Sequence, residues 1–358
     1  MPYASRAPLR LGFAGGGTDV SPYSDEFGGC VLNATINLFS YCYLTPLGGS
    51  TLEFRATDRG ELYCGEALAE LPVTGELQIH KVVYNRIVRQ FNAGKPLSCS
   101  IVTHSDAPAG SGLGTSSTMV VAIIGAFVEW LRLPLGNDEI AHLAFELERV
   151  DLAMPGGKQD QYAAVFGGFN FMEFLPGHRV IVNRLQIKAS ICDELQSTLV
   201  LYFTGASRES ATIIREQIQN VVNRVKEPLD AMHQVKKDAH LLREHLLTGE
   251  IRQFAAVLGS TWEVKKKMSG VISNASIDQI LVKAAEAGAM AGKVSGAGGG
   301  GFIMFMVEPI RREGLVRALR ALGGQIYFPE FTMAGLKTWQ VPVAGEPASP
   351  VRAIPGGD

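Results

Sequence analysis

This chain of 358 residues has few cysteines, little excess of charge of one sign and no long apolar run. The five cysteines are odd in number and include no C-x-x-C pair, which disfavours disulfides and metal binding and favours a reducing compartment. A formal net charge of −2 gives no electrostatic footprint for nucleic acid or an anionic membrane. The longest apolar run, after Ser117, is too short to span a bilayer, and no secretory signal pattern is found at the N-terminus.

The composition is that of a large folded protein. Apolar residues make up 46% of the chain, enough to fill a large core, and the length exceeds one usual domain. We therefore expect a cytoplasmic enzyme with no nucleic-acid or membrane partner. The sequence does not define the oligomeric state, and a homodimer is possible.

A glycine-rich turn at residues 108–118, PAGSGLGTSST, joins a strand-like segment to a long apolar helix. Such a junction exposes backbone N–H groups at the positive end of the helix dipole, which favours a polyphosphate ligand. The hydroxyls of Thr115, Ser116 and Ser117 can cap the helix and reach a phosphate or its magnesium ion. An ordinary strand-to-helix turn rich in small residues is the alternative.

This turn matches neither of the two common nucleotide motifs. No lysine follows Gly114, as the G-x-x-x-x-G-K-[ST] loop requires, and no acidic residue stands about twenty residues further on, as a dinucleotide fold requires. The turn resembles instead the second motif of the GHMP kinases (galactokinase, homoserine kinase, mevalonate kinase and phosphomevalonate kinase), which is close to P-x-x-x-G-L-G-S-S. Thr115 replaces the first serine of that pattern.

Two further segments extend the resemblance over nearly the whole chain. Residues 7–19, APLRLGFAGGGTD, look like the first motif of the family, with Arg10 and Asp19 at the galactokinase separation. Residues 292–301, GKVSGAGGGG, look like the third motif and precede a strand-like run. Each glycine run is weak evidence alone, but their order and spacing together identify the chain as a member of the family.

The resemblance implies an α+β protein with the two-domain GHMP kinase fold. Residues 1–205 are expected to form a domain like ribosomal protein S5 domain 2, and residues 206–342 a ferredoxin-like domain, with the active site between them. Residues 343–358 are expected to be a loose tail. The implied ligands are ATP, Mg²⁺ and a small-molecule sugar phosphate. The residues expected to bind the nucleotide are Pro108, Gly110, Ser111, Gly112, Leu113, Gly114, Thr115, Ser116 and Ser117.

Two carboxylates are expected to meet in the cleft. The helical period that starts near Asp138, with Asn137 as a plausible N-cap, would end at Glu148, and a Pro-Gly-Gly turn would bring Asp160 to the start of the next helix. In galactokinases and mevalonate kinases a helix glutamate binds magnesium and an aspartate about twelve residues later is the base. The resemblance therefore assigns the metal to Glu148, together with Ser116, and the base to Asp160.

Other interpretations of these acidic and basic residues remain open. Asp160 can also be a simple helix cap, and Glu146 and Asp151 are expected to be solvated helix residues. Arg10 and Lys158 are the cations expected to assist catalysis by balancing charge on the γ-phosphoryl group, although Lys158 can equally be a surface turn lysine. The run Lys265-Lys266-Lys267 is expected to be a solvated helix face.

The substrate prediction depends on departures from galactokinase. Gly16 and Gly17 stand where galactokinases carry Glu-His, so most of the galactose contacts are absent. Three segments look most like the heptose 7-phosphate kinase branch of the family and are similar to the kinase part of fucokinases. They are the first motif, the run GGKQDQY at residues 156–162, and the run YFTGASRES at residues 202–210. Both phosphorylate an anomeric hydroxyl. The residues expected to bind the sugar are Gly16, Gly17, Thr18, Asp19, Gly157, Arg208, Gly296 and Gly298.

The sugar's own phosphate is expected to bind at residues 204–210, where Arg208 would act with a helix N-terminus. The alternative for this segment is a plain helix start capped by Ser207. For the whole chain, the alternatives are a fucokinase-like enzyme, a catalytically silent sugar sensor and a decarboxylase of the mevalonate branch. Retention of Glu148, Asp160 and Ser116 argues against the sensor.

Overall fold

The computed structural model describes residues 1–177, 179–205 and 210–342 of the protein. Within these ranges the strands are β1 Tyr3–Ala14, β2 Gly29–Pro46, β3 Thr51–Ala56, β4 Glu61–Glu66, β5 Cys99–Ser105, β6 Phe169–Phe174, β7 Val180–Leu185, β8 Leu199–Phe203, β9 Ala289–Val294, β10 Phe302–Val307, β11 Gln325–Tyr327 and β12 Lys337–Gln340. The helices are α1 Tyr23–Phe27, α2 Gln78–Phe91, α3 Thr115–Leu131, α4 Asn137–Glu146, α5 Gln159–Phe166, α6 Ala189–Thr198, α7 Ser210–Val222, α8 Lys226–Thr248, α9 Ile251–Lys265, α10 Ala275–Glu286 and α11 Arg312–Arg320.

The larger sheet is organised around the long strand β2. This strand pairs antiparallel with β1, β5 and β6, and the full order is β12-β1-β2-β5-β3-β4, with β7 added beyond β6. Helix α3 packs on β1 and β2. Its residues 117–127 are buried on every side because the helix is apolar all round, as expected for a helix inside a core.

The smaller sheet has the order β11-β8-β10-β9, and its pairs are antiparallel. One hydrophobic core joins it to the larger sheet, because Leu11 and Leu32 of the larger sheet and Leu201 and Met304 of the smaller sheet bury their side chains in the same cluster. Phe254 of α9 belongs to that cluster and is fully buried. The two sheets are therefore held together by apolar packing, which fixes the cleft between them.

Sheet membership does not follow the predicted division at residues 205 and 206. Strand β8 precedes that division but pairs with β10 and β11 in the smaller sheet, and β12 follows it but pairs with β1 in the larger sheet. The chain thus enters the second sheet at β8 and returns to the first at β12. Strand pairing between distant segments decides this, and no linker composition marks it. The predicted tail, residues 343–358, lies outside the described residues.

Local apolar patterns explain most elements after residue 210. Helices α7, α8 and α9 are amphipathic, and the last described residues follow the order α10, β9, β10, α11, β11, β12. The predicted N-cap Asn137 is wrong, because Gly136 caps α4 and its N–H donates to Glu139, 2.6 Å away. Cys64 is exposed, unlike the buried Cys30, Cys42 and Cys99. In the described part of the chain, none of the helices combines the length and the hydropathy needed to cross a bilayer.

Candidate active site

A cleft opens where the three glycine-rich segments meet. The residues on its walls that matter for the chemistry are Arg10, Gly16, Gly17, Asp19, Gly110, Ser111, Gly112, Gly114, Thr115, Ser116, Ser117, Glu148, Arg149, Gly157, Gln159, Asp160, Gln217, Lys265, Gly296 and Gly298. Residues separated by more than 280 positions in the chain therefore share one site, as the order of the motifs predicted.

Hydrogen bonds to backbone carbonyls join the second and third glycine segments. Ser295 Oγ donates to the Gly112 carbonyl at 2.9 Å, and Phe302 N–H donates to the Ser111 carbonyl at 2.9 Å. Gly112 has φ +81°, and a Cβ there would collide with the Ser295 carbonyl. Gly296 likewise leaves no room for a Cβ against the backbone of Gly112. The loops require glycine because two main chains touch.

The N-terminus of α3 faces the cleft without a side-chain cap. Its N-cap is Gly114, in the left-handed conformation with φ +79°, so the predicted capping by hydroxyls is wrong. Thr115 Oγ1 lies 3.0 Å from Ser111 Oγ, and Ser117 Oγ accepts from Gln161 at 3.1 Å. The first N–H groups of an α-helix have no partner inside it, so this uncapped end can bind an anion.

Two of the predicted nucleotide residues contribute through the backbone. The Leu113 side chain is fully buried in the core, while its carbonyl accepts from Arg10 N–H at 3.1 Å. The Pro108 carbonyl accepts from Ser111 N–H at 3.2 Å and closes the turn. Both residues therefore shape the loop, and neither is on the cleft wall.

Asp160 and Arg10 form a partly buried ion pair that lines the cleft, with the Asp160 side chain 21% exposed. Arg10 is 4% exposed, and its Nε and Nη2 atoms both lie 2.7 Å from Asp160 Oδ1. Its Nη1 donates to the Gly112 carbonyl at 2.7 Å. Asp160 Oδ2 faces the glycine turn, because a Cβ on Gly114 would lie 3.2 Å from it. Arg10 thus fixes one carboxylate oxygen and leaves the other directed at the nucleotide loop.

Glu148 lies in a π-helical turn, Leu147–Asp151, that follows α4. The predicted regular helix therefore ends earlier, and the wider turn is a feature often found at functional sites. Glu148 is 1% exposed. Its Oε1 accepts from Ser116 Oγ at 3.3 Å and its Oε2 accepts from Gln161 Nε2. The carboxylate is held against the start of α3, beside the expected phosphate site.

The Ser116 and Glu148 pair fits a magnesium ion. Hydroxyl and carboxylate oxygens are hard ligands, and Mg²⁺ takes only one or two protein ligands when phosphates and water supply the rest. Within the described ranges there is no cluster of three or more histidine, cysteine or acidic residues suited to a metal. The donor set therefore suits magnesium held jointly with phosphate better than an all-protein metal site.

Asp19 ties the first motif to the start of α5. Its Oδ2 accepts from the N–H groups of Lys158 at 2.9 Å and Gln159 at 3.1 Å, and its Oδ1 accepts from Gly17 N–H at 3.1 Å. A Cβ on Gly157 would collide with the same carboxylate. Asp19 therefore positions the helix that carries Asp160, in addition to lining the cleft.

Two further predicted site residues, Lys158 and Thr18, are not on the cleft wall. The Lys158 side chain is buried and points away from the cleft, with Nζ 3.5 Å from Ser24 Oγ and 3.6 Å from Asp25 Oδ1. Thr18 is fully buried, and its hydroxyl donates to the carbonyls of Gly15 and Cys30. Arg208 and Ser207 lie outside the described residues.

The lysine that lines the cleft is Lys265, at the end of α9. It is 5% exposed, contrary to the prediction of a solvated face, and its Nζ donates to the Gly296 carbonyl at 2.7 Å. Burial lowers the pKa of Lys265 to about 8, and the Arg10 charge acts in the same direction while Asp19 opposes both. The sequence held a signal: Lys265 follows Leu258 and Trp262 at helical spacing and so falls on the apolar face.

Arg149 and Gln159 also line the cleft and were not predicted. Arg149 donates to the carbonyls of Gly157 at 3.2 Å and Met154 at 3.3 Å, which holds the loop before α5 in place. Glu146 and Asp151, predicted to be solvated, are both bound by Arg86 at 2.7 Å, away from the cleft. The Arg86 contacts join segments that are distant in the chain, so no local sequence pattern predicts them.

Comparison with known protein families agrees with the glycine motifs that form the cleft. Residues 78–168 match the GHMP kinases N terminal domain, and residues 241–325 match the GHMP kinases C terminal domain. The chain is 48% identical over 338 residues to the D-glycero-alpha-D-manno-heptose 7-phosphate kinase of Campylobacter jejuni, covering 94% of this chain and 98% of that one. The L-fucokinase/L-fucose-1-P guanylyltransferase of Bacteroides fragilis is 27% identical over 85% of this chain, which spans 34% of that protein.

Two solved kinase structures have the same fold as this chain. A D-glycero-D-manno-heptose 1-phosphate kinase from Bacteroides thetaiotaomicron superimposes with a TM-score of 0.82 at 48% identity, covering 95% of this chain and all of that one. A mevalonate kinase at 17% identity and a TM-score of 0.73 shares the fold.

The chain belongs to the GHMP kinase family, and the predicted two-domain fold of that family is confirmed. It is accordingly a phosphotransferase, and its relatives at 48% identity are named sugar kinases.

Proposed function

We propose that the protein transfers the γ-phosphoryl group of ATP to the anomeric hydroxyl of D-glycero-D-manno-heptose 7-phosphate, giving the 1,7-bisphosphate. The observation that carries the proposal is the 48% identity with the Campylobacter jejuni enzyme, which extends over 98% of that enzyme's length. The ion pair of Arg10 and Asp160 in the cleft supports it. Since ATP is the donor, we place the reaction in the cytoplasm.

In this mechanism the backbone N–H groups at the start of α3 bind the phosphates of ATP. Asp160 Oδ2 accepts the proton of the sugar hydroxyl, while Arg10 holds Oδ1 and keeps the carboxylate oriented. Ser116 and Glu148 would hold magnesium, which neutralises phosphate charge when bound. Phosphoryl transfer depends mainly on positioning and electrostatics, and these contacts supply both.

The substrate is tested by ADP release with purified protein and a panel of sugars. Heptose 7-phosphate is expected to give the highest kcat/KM, ahead of unphosphorylated heptose, heptose 1-phosphate and fucose. The names of the two relatives place the substrate's phosphate differently, so the product must be identified by phosphorus NMR. A preference for free fucose would replace the proposal with a fucokinase-like activity, and no release with any sugar would favour a silent sensor.

Glu148→Gln is expected to raise the magnesium concentration needed for half-maximal activity about tenfold or more, because it removes a charged oxygen ligand from a hard cation. The matched control is Glu146→Gln, two residues earlier, whose carboxylate binds Arg86 away from the cleft. Magnesium titrations of both variants at saturating ATP make the comparison. Equal magnesium requirements in the two variants would remove Glu148 from the metal site.

A further inference from the structure

Lys265 is a buried cation of the cleft that lacks a carboxylate partner among the described residues. The other cleft cations are engaged, since Arg10 pairs with Asp160 and Arg149 holds the loop before α5 with Glu148 3.9 Å away. Lys265 Nζ has one recorded acceptor, the carbonyl of Gly296. An ammonium group has three donors, so this side chain retains donors for a ligand.

A second buried donor on the same wall of the cleft is unused. Gln217 of α7 is 3% exposed and lines the cleft, and its Nε2 has no hydrogen-bond partner. A buried amide without a partner is destabilising, and a hydrogen bond to a ligand oxygen would remove that penalty. Because Gln217 is held by α7 and Lys265 by α9, two separate helices present donors to the cleft.

The first motif brings its glycines close to these two side chains. A Cβ on Gly16 would lie 3.6 Å from Lys265 Nζ. One on Gly17 would lie 3.4 Å from Gln217 Oε1 and would collide with the methyl group of Met268. Both glycines line the same cleft as Lys265, Gln217 and Asp160, so a substrate bound against the first motif can reach all three side chains.

We propose that Lys265, assisted by Gln217, binds the phosphate group that the sugar substrate already carries. The proposal rests on the proposed function for the identity of the substrate. Arg10 and Arg149 each have a carboxylate within 4 Å, whereas Lys265 has none among the described residues, so its ammonium group can pair with a dianion. The same chemistry would suit the transferred phosphoryl group, and the experiment separates the two sources.

The test measures kcat and KM of Lys265→Met with heptose 7-phosphate and with unphosphorylated heptose. Methionine keeps the length and apolar stem of the side chain but removes the charge. We expect KM for the 7-phosphate to rise about 10- to 100-fold, the worth of a hydrogen bond to a charged group, with kcat/KM for the unphosphorylated sugar changed less than threefold. Gln217→Leu should show a smaller shift with the same selectivity.

Lys81→Met is the matched control. Lys81 is 6% exposed and its Nζ also donates to one carbonyl, that of Thr74, but it lies on α2 outside the cleft. This variant should leave both sugars unaffected. Equal losses of kcat on both sugars in Lys265→Met would assign Lys265 to the transferred phosphoryl group and overturn the proposal, as would an unchanged KM.

Calorimetry with inorganic phosphate separates this proposal from the substrate assignment. With Mg-ADP saturating the nucleotide loop, phosphate should bind the wild type and the Lys81 variant but bind Lys265→Met at least tenfold more weakly. That result would support the phosphate site even if heptose 7-phosphate proved not to be the substrate. Equal binding of phosphate by all three proteins would overturn the proposal, whatever the substrate is.

Discussion

Asp160→Asn is expected to lower turnover by about two to four orders of magnitude, the usual worth of a positioned acid–base group. The amide keeps the size of the side chain but cannot accept the proton of the sugar hydroxyl at Oδ2. In the proposed mechanism ATP binds the glycine turn and the start of α3, so its dissociation constant should stay within about threefold of the wild-type value, a difference under 1 kcal/mol. Single-turnover kinetics and ATP calorimetry measure the two quantities separately.

The variant also removes the charge that balances buried Arg10, so its folding must be checked. Because the Asp160 side chain is 21% exposed, the cost should be below the roughly 3 to 5 kcal/mol of breaking a fully buried pair, and the Arg10 bond to the Gly112 carbonyl remains. Thermal denaturation shows whether the protein is folded at the assay temperature. Asp58→Asn, an exposed aspartate between β3 and β4, should behave as wild type. Turnover of folded Asp160→Asn within about threefold of wild type would exclude Asp160 as the base.

Short local motifs predicted which segments meet in the cleft. The three glycine segments, the Asp160 base candidate and the Glu148 metal candidate all line one cleft, because each belongs to a local motif whose backbone conformation glycine or a helix start imposes. The amphipathic helices after residue 210 are likewise set by local apolar periodicity.

Features that depend on long-range packing were not predicted. Strands β8 and β12 join sheets on the other side of the expected boundary, since pairing with partners more than 90 residues away decides their place. Lys265 looked like part of a solvated lysine run, yet its place on the apolar face of α9 directs it into the cleft. Lys158 is only two residues before Asp160, but its side chain points away from the cleft, toward Ser24.

Gly112→Val is expected to abolish measurable nucleotide binding. The residue has φ +81°, where a β-branched side chain is strained, and its Cβ would collide with the Ser295 carbonyl of the third glycine segment. The collision would separate the two loops, which are joined by the Ser295 bond to the Gly112 carbonyl and by the Phe302 bond to the Ser111 carbonyl. Gly112 also supplies the acceptor for Arg10 Nη1, so the orientation of Asp160 should be lost as well.

Gly94→Val is the control that separates backbone strain from loop contact. Gly94 has φ +73°, close to that of Gly112, but a Cβ there meets no atom within 4 Å. Both variants therefore bear a left-handed backbone cost of about 1 to 2 kcal/mol, and only Gly112→Val adds the collision. Calorimetry with ADP and magnesium should show near wild-type affinity for Gly94→Val and no binding for folded Gly112→Val. Similar affinities in the two variants would mean that the turn at residues 108–118 serves the fold and that ATP binds elsewhere, because a phosphate cradle built from two touching backbones cannot tolerate a side chain between them.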